Sequence, residues 1–224
     1  MDAVIKVGGS LSENSVVLKA LCTELCRVAK KYSIVVVPGG GKFADAVREC
    51  DEKFTLPAVV SHKLAILAMD QYGLVLSQLI PDSLACSSVG HAKRISKTGK
   101  VPIFLPSKLM FEENALEASW DVTSDSIAAY VARKLRAAKV LFVTDVDGIF
   151  TGNPKKHAEA KLKSEVTIGE LQAFAERTSV DKFLPKLLSK TPLDCYVLNG
   201  NHPKRIEAVL SGQPTIFSRI VTQH

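Results

Sequence analysis

Residues 3–10 read AVIKVGGS, an apolar run that contains one charged residue and is ended by two glycines. The short, β-branched run predicts a buried strand with Lys6 inside it. An ammonium group is costly to bury unless it meets an anion or a carboxylate; the alternative is an edge strand with Lys6 facing solvent. Gly8 and Gly9 leave the backbone N–H groups at the strand end open to a bound phosphate.

A second glycine turn follows the next apolar run. Residues 33–37 predict another buried strand, and residues 38–42 (PGGGK) lead from it into a helix. This arrangement offers an anion unpaired backbone donors and the positive end of a helix dipole. It is not a Walker A loop, because Lys42 is followed by Phe43 instead of Ser or Thr. Two such turns, each after a buried strand, indicate phosphate binding better than either turn alone.

Strand-like runs alternate with helical patterns along the rest of the chain. Strands are predicted at 101–105, 139–144, 195–198 and 215–220, and helices at 15–31, 42–50, 57–80 with a break near Gly73, 123–137, 167–176, 182–190 and 203–210. This alternation predicts an α/β fold with a largely parallel sheet that is covered on both faces. Ligands of such sheets bind beyond the carboxyl ends of the strands, which here means after Val7, Val37, Thr144 and Leu198.

Composition narrows the classes of protein that the chain can belong to. Its 224 residues are 46% hydrophobic and 23% charged, which is typical of a globular protein and not of extended disorder. The net charge is +6, and residues 91–108 contain basic residues without any acid, a pattern that predicts a solvated loop. Nucleic acid is not an expected partner, because no aromatic residues are interleaved with the basic ones.

The chain is expected to work in the cytoplasm. Its N-terminus enters a strand-like run without the basic and apolar segments of a signal peptide. A membrane partner is not expected either, since the longest apolar candidate, residues 64–80, is interrupted by Asp70 and Gln71. The five cysteines are scattered without zinc-site spacing, which indicates free thiols.

Polar motifs mark three further places. Residues 120–125 (WDVTSD) begin a helix, and two aspartates exceed what capping needs, so Asp125 is favoured as a carboxylate that orients lysines. Residues 144–154 (TDVDGIFTGNP) follow an apolar strand and suit the ribose and phosphates of a nucleotide, although a simple turn is the alternative. Lys186 stands in an apolar helical setting, which a snorkelling surface lysine also explains.

Taken in order, these motifs resemble those of the amino acid kinase superfamily, and the match covers essentially the whole chain. The resemblance implies a three-layer αβα sandwich with a mainly parallel central sheet, formed by one domain over residues 1–224. The phosphoryl acceptor would bind to about residues 1–137 and ATP to about residues 138–224. The resemblance further implies an ATP-dependent kinase that uses Mg²⁺, acts on a small anionic molecule and forms a homo-oligomer.

The resemblance also assigns roles to residues. Lys6 and Lys186 would contact the phosphoryl group and the ATP phosphates, with Lys182 as a rival for Lys186, and Asp125 would orient the two lysines. The nucleotide would bind to Gly8, Gly9, Ser10, Thr144, Asp145, Asp147, Gly148, Ile149, Phe150, Asn153 and Pro154. The acceptor would bind to Gly39, Gly40, Gly41, Asp121 and Thr123. No side chain is assigned as a metal ligand.

The motifs leave several candidates for the molecule that accepts the phosphoryl group. Residues 119–129 (SWDVTSDSIAA) resemble the small archaeal and methylotroph branch that phosphorylates [5-(aminomethyl)furan-3-yl]methyl phosphate during methanofuran or methylofuran biosynthesis, and Asp121 or Asp70 would then pair with the amine. Uridylate and isopentenyl phosphate are alternatives, although the helix after Ser61 lacks the uridylate kinase pattern and His62 lacks the isopentenyl phosphate kinase context. A nucleotide or oxyanion storage protein is the non-enzymatic alternative.

Overall fold

A mostly parallel sheet forms the middle of the molecule. The computed structural model describes residues 1–157, 159–174, 178–191 and 193–221. Its strands are β1 (Ala3–Val7), β2 (Ile34–Pro38), β3 (Ser83–Cys86), β4 (Val101–Phe104), β5 (Lys139–Thr144), β6 (Ile149–Phe150), β7 (Leu162–Lys163), β8 (Glu165–Thr167), β9 (Asp194–Asn199) and β10 (Ser218–Val221). Its α-helices are α1 (Ser15–Ala29), α2 (Gly41–Phe54), α3 (Ala58–Leu79), α4 (Val89–Ser96), α5 (Ser107–Glu113), α6 (Ser124–Leu135), α7 (Ile168–Ala173), α8 (Leu184–Lys190) and α9 (Arg205–Ser211), and a 3-10 turn spans Gly9–Glu13.

The order of strands in the main sheet is β3-β4-β2-β1-β5-β9-β10-β8, and β6 pairs with β7 in a separate hairpin. Within the main sheet, neighbouring strands are parallel except for the pair β9 and β10. Strand β1 lies between β2 and β5, with Lys6 in register with Val37 and Phe142. The alternative in which Lys6 lies on an edge strand is therefore wrong.

Apolar side chains cover both faces of this sheet. Val4 and Phe142 belong to one core, which includes buried residues of α6 and α8. Ile5 and Val143 belong to the other core, which includes buried residues of α1 and α9. Alternate residues of one strand thus enter opposite cores, as the period of a strand requires. The predicted α/β sandwich with a mainly parallel sheet is confirmed.

Two predictions from the sequence are wrong. Helix α3 continues through Gly73, where a Cβ would lie 2.6 Å from Cδ2 of Leu105; the glycine permits close packing and does not break the helix. Residues 91–108 are not a solvated loop: besides the strand predicted at 101–105, which is observed as β4, they contribute to helices α4 and α5. Buried Ala92 and Ile103 hold this stretch on the core while its basic side chains remain on the outside.

Some short elements escaped the sequence prediction. These are β3, α4, α5, β8 and the β6–β7 hairpin, of which the longest, α4, has 8 residues. Residues 175 and 176 of the helix predicted at 167–176 lie outside the described residues, and α7 covers the first part of that range. Within the described part of the chain, no helix combines the length and the apolarity needed to cross a membrane.

Candidate active site

A cavity of about 810 Å³ opens at the carboxyl ends of β1, β2 and β5. Its centre is formed by Lys6, the turn at residues 8–10 and Asp125. The N-terminal half of α2, part of α3 and residues 119, 120 and 122–124 line one end, and residues 144–146, 150–155 and 157 contribute to the other. The position agrees with the expectation that a parallel sheet binds ligands beyond its strand ends.

The two glycine turns pack directly against each other at the centre of this cavity. A Cβ on Gly9 would lie 2.3 Å from the backbone nitrogen of Gly41, and a Cβ on Gly39 would lie 2.7 Å from the nitrogen of Gly9. Gly40 precedes α2 as an N-cap without a side chain, so no side-chain oxygen occupies the first N–H groups of the helix. Gly8 and Gly39 donate their N–H groups to the carbonyls of Val143 and Val7, and Gly39 is not among the residues that line the cavity. The donors that remain for an anion are the N–H groups of Gly9, Ser10, Gly40 and Gly41.

Lys6 and Asp125 form a buried ion pair beside these turns. Lys6 is only 7% exposed, and its Nζ lies 2.8 Å from Oδ1 of Asp125. The angles of this contact are not those of a hydrogen bond, so it is held by charge. Oδ2 of Asp125 accepts a hydrogen bond from the backbone N–H of Asp181 at 3.1 Å. The structure thus brings together the lysine of a central strand and the carboxylate at the start of α6.

Asp181 is a residue that the sequence analysis missed. Its carboxylate accepts hydrogen bonds from backbone N–H and hydroxyl groups of Thr123 and Ser126 and from the N–H of Leu184. Burial raises the pKa of Asp181, and the charge of Asp125 raises it further, although these donors oppose the shift. Thr123, the N-cap residue of α6, donates its hydroxyl to Asp181 and makes no side-chain capping bond to its own helix. Asp181 therefore joins the start of α6 to the segment before α8.

The predicted nucleotide residues divide into two groups. Thr144, Asp145, Phe150, Asn153 and Pro154 line the cavity. Burial alone would raise the pKa of Asp145, but the ion pair with Lys155 together with hydrogen bonds from its own backbone N–H and from Ser10 lowers it, so this carboxylate is charged at neutral pH.

Asp147, Gly148 and Ile149 are not among the residues that line the cavity. Asp147 contacts Arg205 at 2.5 Å and accepts a hydrogen bond from Asn199 at 3.1 Å. A Cβ on Gly148 would lie 2.3 Å from Oγ of Ser218, and Ile149 is fully buried. In this structure these three residues shape the turn that carries the lining residues.

Two other predicted site residues lie away from the cavity. Nζ of Lys186 lies 2.8 Å from Glu117 and 4.9 Å from the ring centre of Phe183, and the side chain of Lys186 is 55% exposed. Asp121 is exposed, and its carbonyl accepts a hydrogen bond from the N–H of Phe183. The rival Lys182 lines a smaller neighbouring cavity together with Asp181. The structure therefore brings Lys6, but neither of the α8-region lysines, to the centre of the main cavity.

The end of the cavity near α2 carries side chains that the sequence analysis did not assign. Nη1 of Arg48 lies 2.8 Å from Oδ1 of Asp45, and the guanidinium carbon of Arg48 lies 5.1 Å from the ring centre of Trp120. The indole Nε1–H of Trp120 donates to Asp51 at 2.7 Å. Burial lowers the pKa of His62, which also lines this end, and so favours its neutral form. A charged and aromatic wall thus faces the two glycine turns.

Comparisons with known proteins agree with this arrangement. The model of the amino acid kinase family matches residues 1–189. The [5-(aminomethyl)furan-3-yl]methyl phosphate kinase of Methanocaldococcus jannaschii is 36% identical over 220 residues, which cover 97% of each chain. A uridylate kinase of Thermococcus kodakarensis is 22% identical over 95% of this chain and 96% of its own length. The crystal structure of UMP kinase from Bacillus anthracis has a TM-score of 0.78 at 19% identity, over 98% of this chain and 95% of its own.

The chain belongs to the amino acid kinase family. It is a phosphotransferase, and its phosphoryl donor is ATP. The family resemblance that the glycine turns and the later motifs predicted is confirmed.

Proposed function

We propose that this kinase transfers the γ-phosphoryl group of ATP to [5-(aminomethyl)furan-3-yl]methyl phosphate and forms its diphosphate, a step of methanofuran or methylofuran biosynthesis. The observation that carries the transfer chemistry is the buried Lys6–Asp125 pair beside two abutting glycine turns. The choice of acceptor is supported by the Methanocaldococcus jannaschii relative and by residues 119–124, which carry part of the branch motif and contribute to the cavity wall.

The proposed reaction needs little covalent help from the protein. A phosphate oxygen of the acceptor forms a bond to the γ-phosphorus while the bond to the β–γ bridging oxygen breaks, and ADP leaves with that electron pair. Lys6 neutralises charge that develops on the transferring oxygens, and Asp125 keeps the ammonium group in place. The acceptor oxygen is already ionised, so no general base is required. The N–H groups of Gly9, Ser10, Gly40 and Gly41 in the two glycine turns hold the phosphates.

The proposed Mg²⁺ would arrive with the phosphates of ATP. Among the described residues, no group of three or more His, Cys, Asp or Glu side chains is arranged to hold a metal. Mg²⁺ in such sites keeps several waters and binds substrate phosphates with one or two carboxylates, and Asp125 and Asp145 line the cavity as candidates. When bound, the ion neutralises charge between the β- and γ-phosphates.

We keep Lys186 as a proposed second ligand of the ATP phosphates. Its ion pair with Glu117 is largely exposed, and pairs of this kind contribute about 0–1 kcal/mol, so an ATP phosphate can replace Glu117 at little cost. Under this proposal Lys186→Ala lowers kcat by about 100-fold, the size seen when one charge-stabilising donor is removed, whereas Lys182→Ala leaves kcat unchanged. The opposite ranking in steady-state kinetics would assign the role to Lys182.

An acceptor panel tests the proposed function. ADP formation is measured with [5-(aminomethyl)furan-3-yl]methyl phosphate, UMP, isopentenyl phosphate, aspartate and acetylglutamate, and Lys6→Ala serves as the inactive control. The furan phosphate is expected to give the highest kcat/KM. Uridylate is the second candidate, since uridylate kinases are among the full-length relatives. Activity with UMP alone overturns the proposed acceptor but not the phosphoryl transfer.

The proposed kinase is a cytoplasmic homo-oligomer. Its five cysteines are free thiols, as a reducing compartment favours. Helix α3 leaves a row of large apolar side chains exposed, which a second subunit would cover: Val59, Val60, Leu67, Leu74 and Val75. Light scattering during size exclusion is expected to give a multiple of 24.2 kDa, and Leu67→Glu is expected to reduce it. A wild-type mass of one chain would contradict the proposed oligomer.

A further inference from the structure

One carboxylate of α2 faces the acceptor end of the cavity. Asp45 lies four residues after Gly41, the first residue of α2, and both residues line the cavity. Four residues of an α-helix span about 6 Å along its axis, slightly more than one turn. A phosphate on the N–H groups at the start of α2 therefore has a carboxylate about one turn away from it. That separation suits a ligand with a phosphate and an ammonium group on opposite sides of one small ring.

Neighbouring side chains hold Asp45 in this position. Arg48 pairs with Asp45 at 2.8 Å and lies over the ring of Trp120. The hydrogen bond from Trp120 is the main cause that lowers the pKa of Asp51, so Asp51 stays ionised and anchors the indole. Arg48 occupies one side of the Asp45 carboxylate and leaves lone pairs free for a second donor. Both side chains of the pair are about half exposed, so a ligand can reach Asp45.

The remaining surface at this end is mostly apolar. Ala65, Ile66 and Met69 of α3 line it, and such side chains suit the flat face of a ring. Asp70 is not the partner of an ammonium group here, because its carboxylate accepts hydrogen bonds from the N–H and hydroxyl groups of Ser107. Asp121 is not among the residues that line the cavity. Of the three aspartates, the geometry thus favours Asp45.

We propose that Asp45 selects acceptors that carry an ammonium group about one helical turn from their phosphate, and that Arg48 is its positioning residue. The proposal rests on the proposed function and extends it to the residue that binds the ammonium group of the acceptor. Removing the charge of Asp45 weakens the contact with the ammonium group but leaves the phosphate site and Lys6 intact. The effect therefore falls on KM for the amine acceptor and not on kcat.

The experiment compares two acceptors, the aminomethyl-furan phosphate and the same compound with a methyl group in place of the aminomethyl group. Wild-type enzyme is expected to have a KM at least 10-fold lower for the amine. Asp45→Asn is expected to raise the KM for the amine 10- to 100-fold, the size of a hydrogen bond to a charged group. The KM for the methyl compound stays unchanged. Arg48→Lys is expected to keep more of the preference than Arg48→Met.

Glu49→Gln is the matched control, because Glu49 is an exposed carboxylate of α2 that is not among the cavity-lining residues. Equal KM values of wild-type enzyme for the two acceptors overturn the inference while transfer to either compound supports the proposed function. Equal effects of Asp45→Asn and Glu49→Gln also overturn the inference. If wild-type enzyme phosphorylates neither compound, the proposed function fails and the inference fails with it. The wild-type comparison can overturn the inference even if a variant does not fold.

Discussion

Lys6 and Asp125 are 119 positions apart in the chain (125 minus 6), yet Nζ of Lys6 lies 2.8 Å from Oδ1 of Asp125. The lysine belongs to central strand β1 and the aspartate to the first turn of α6. Both side chains are almost fully withdrawn from solvent. A buried charge is costly unless it is paired, so the carboxylate of Asp125 compensates the ammonium group of Lys6 where a phosphate can meet the lysine.

Asp125→Asn is expected to lower kcat by about 100- to 1000-fold, because Lys6 loses the charge that orients it in the transition state. Breaking a buried pair also costs about 3–5 kcal/mol of stability, so folding must be checked by circular dichroism at the assay temperature. Lys19→Ala, which changes an exposed lysine of α1, is the control and leaves kcat unchanged. A kcat for Asp125→Asn within threefold of wild type would show that Asp125 does not support the transfer.

Asp181→Asn is expected to destabilise the protein by about 1–3 kcal/mol. An amide has one acceptor oxygen, so buried donors from Thr123, Ser126 and Leu184 lose part of their partner. Urea unfolding followed by fluorescence or circular dichroism measures the loss, and Glu52→Gln on the exposed side of α2 is the control. Equal unfolding midpoints for the two variants would contradict the structural role of Asp181.

Gly9→Ala is expected to destabilise the protein by about 1–3 kcal/mol and to remove activity, since the new Cβ would lie 2.3 Å from the backbone of Gly41. The neighbour is backbone and cannot rotate away. Gly90→Ala in α4 is the matched control, because only the flexible end of Arg94 lies near its Cβ position, at 3.7 Å. This control is expected to be neutral or stabilising by about 0.5–1 kcal/mol. Thermal unfolding and ADP formation compare the two variants.

Glu207 of α9 should make stability depend on pH. Its ion pairs with Arg27 and Lys31 lower its pKa from 4.5 to about 2. A folded pKa below the unfolded value means that the stabilisation is present above about pH 4.5 and is lost as the pH falls toward 2. The difference in urea midpoint between wild type and Glu207→Gln should therefore shrink over this range. If the difference in urea midpoint stays constant from pH 7 down to about pH 2, Glu207 does not contribute the proposed pH dependence.

Local sequence predicted the parts of the site that one segment forms by itself. Three features can be recognised because each lies within or directly after an apolar run: the two glycine turns, Lys6 inside a strand, and the polar residues 144–154. The same reasoning missed Asp181, because a lone aspartate beside a lysine carries no local pattern. It also described residues 91–108 as a loop, although it placed a strand at 101–105, because the basic residues of this stretch masked the buried Ala92 and Ile95 of α4. Residues that act only through distant partners escape such reasoning.

The amino-acid sequence alone predicts the alternation of strands and helices, and with it an α/β fold whose strand ends carry glycine turns. The backbone conformation and the buried face of a single element depend mainly on residues that are close in the chain. The strands, the helices and the turns between them can therefore be predicted from local sequence. That Gly9 packs on Gly41, and that Asp45, Arg48 and Trp120 share one wall of the cavity, follows from the folded arrangement and not from local sequence. Parallel strands are joined by long crossovers, so side chains far apart in the chain meet only when the whole sheet has formed.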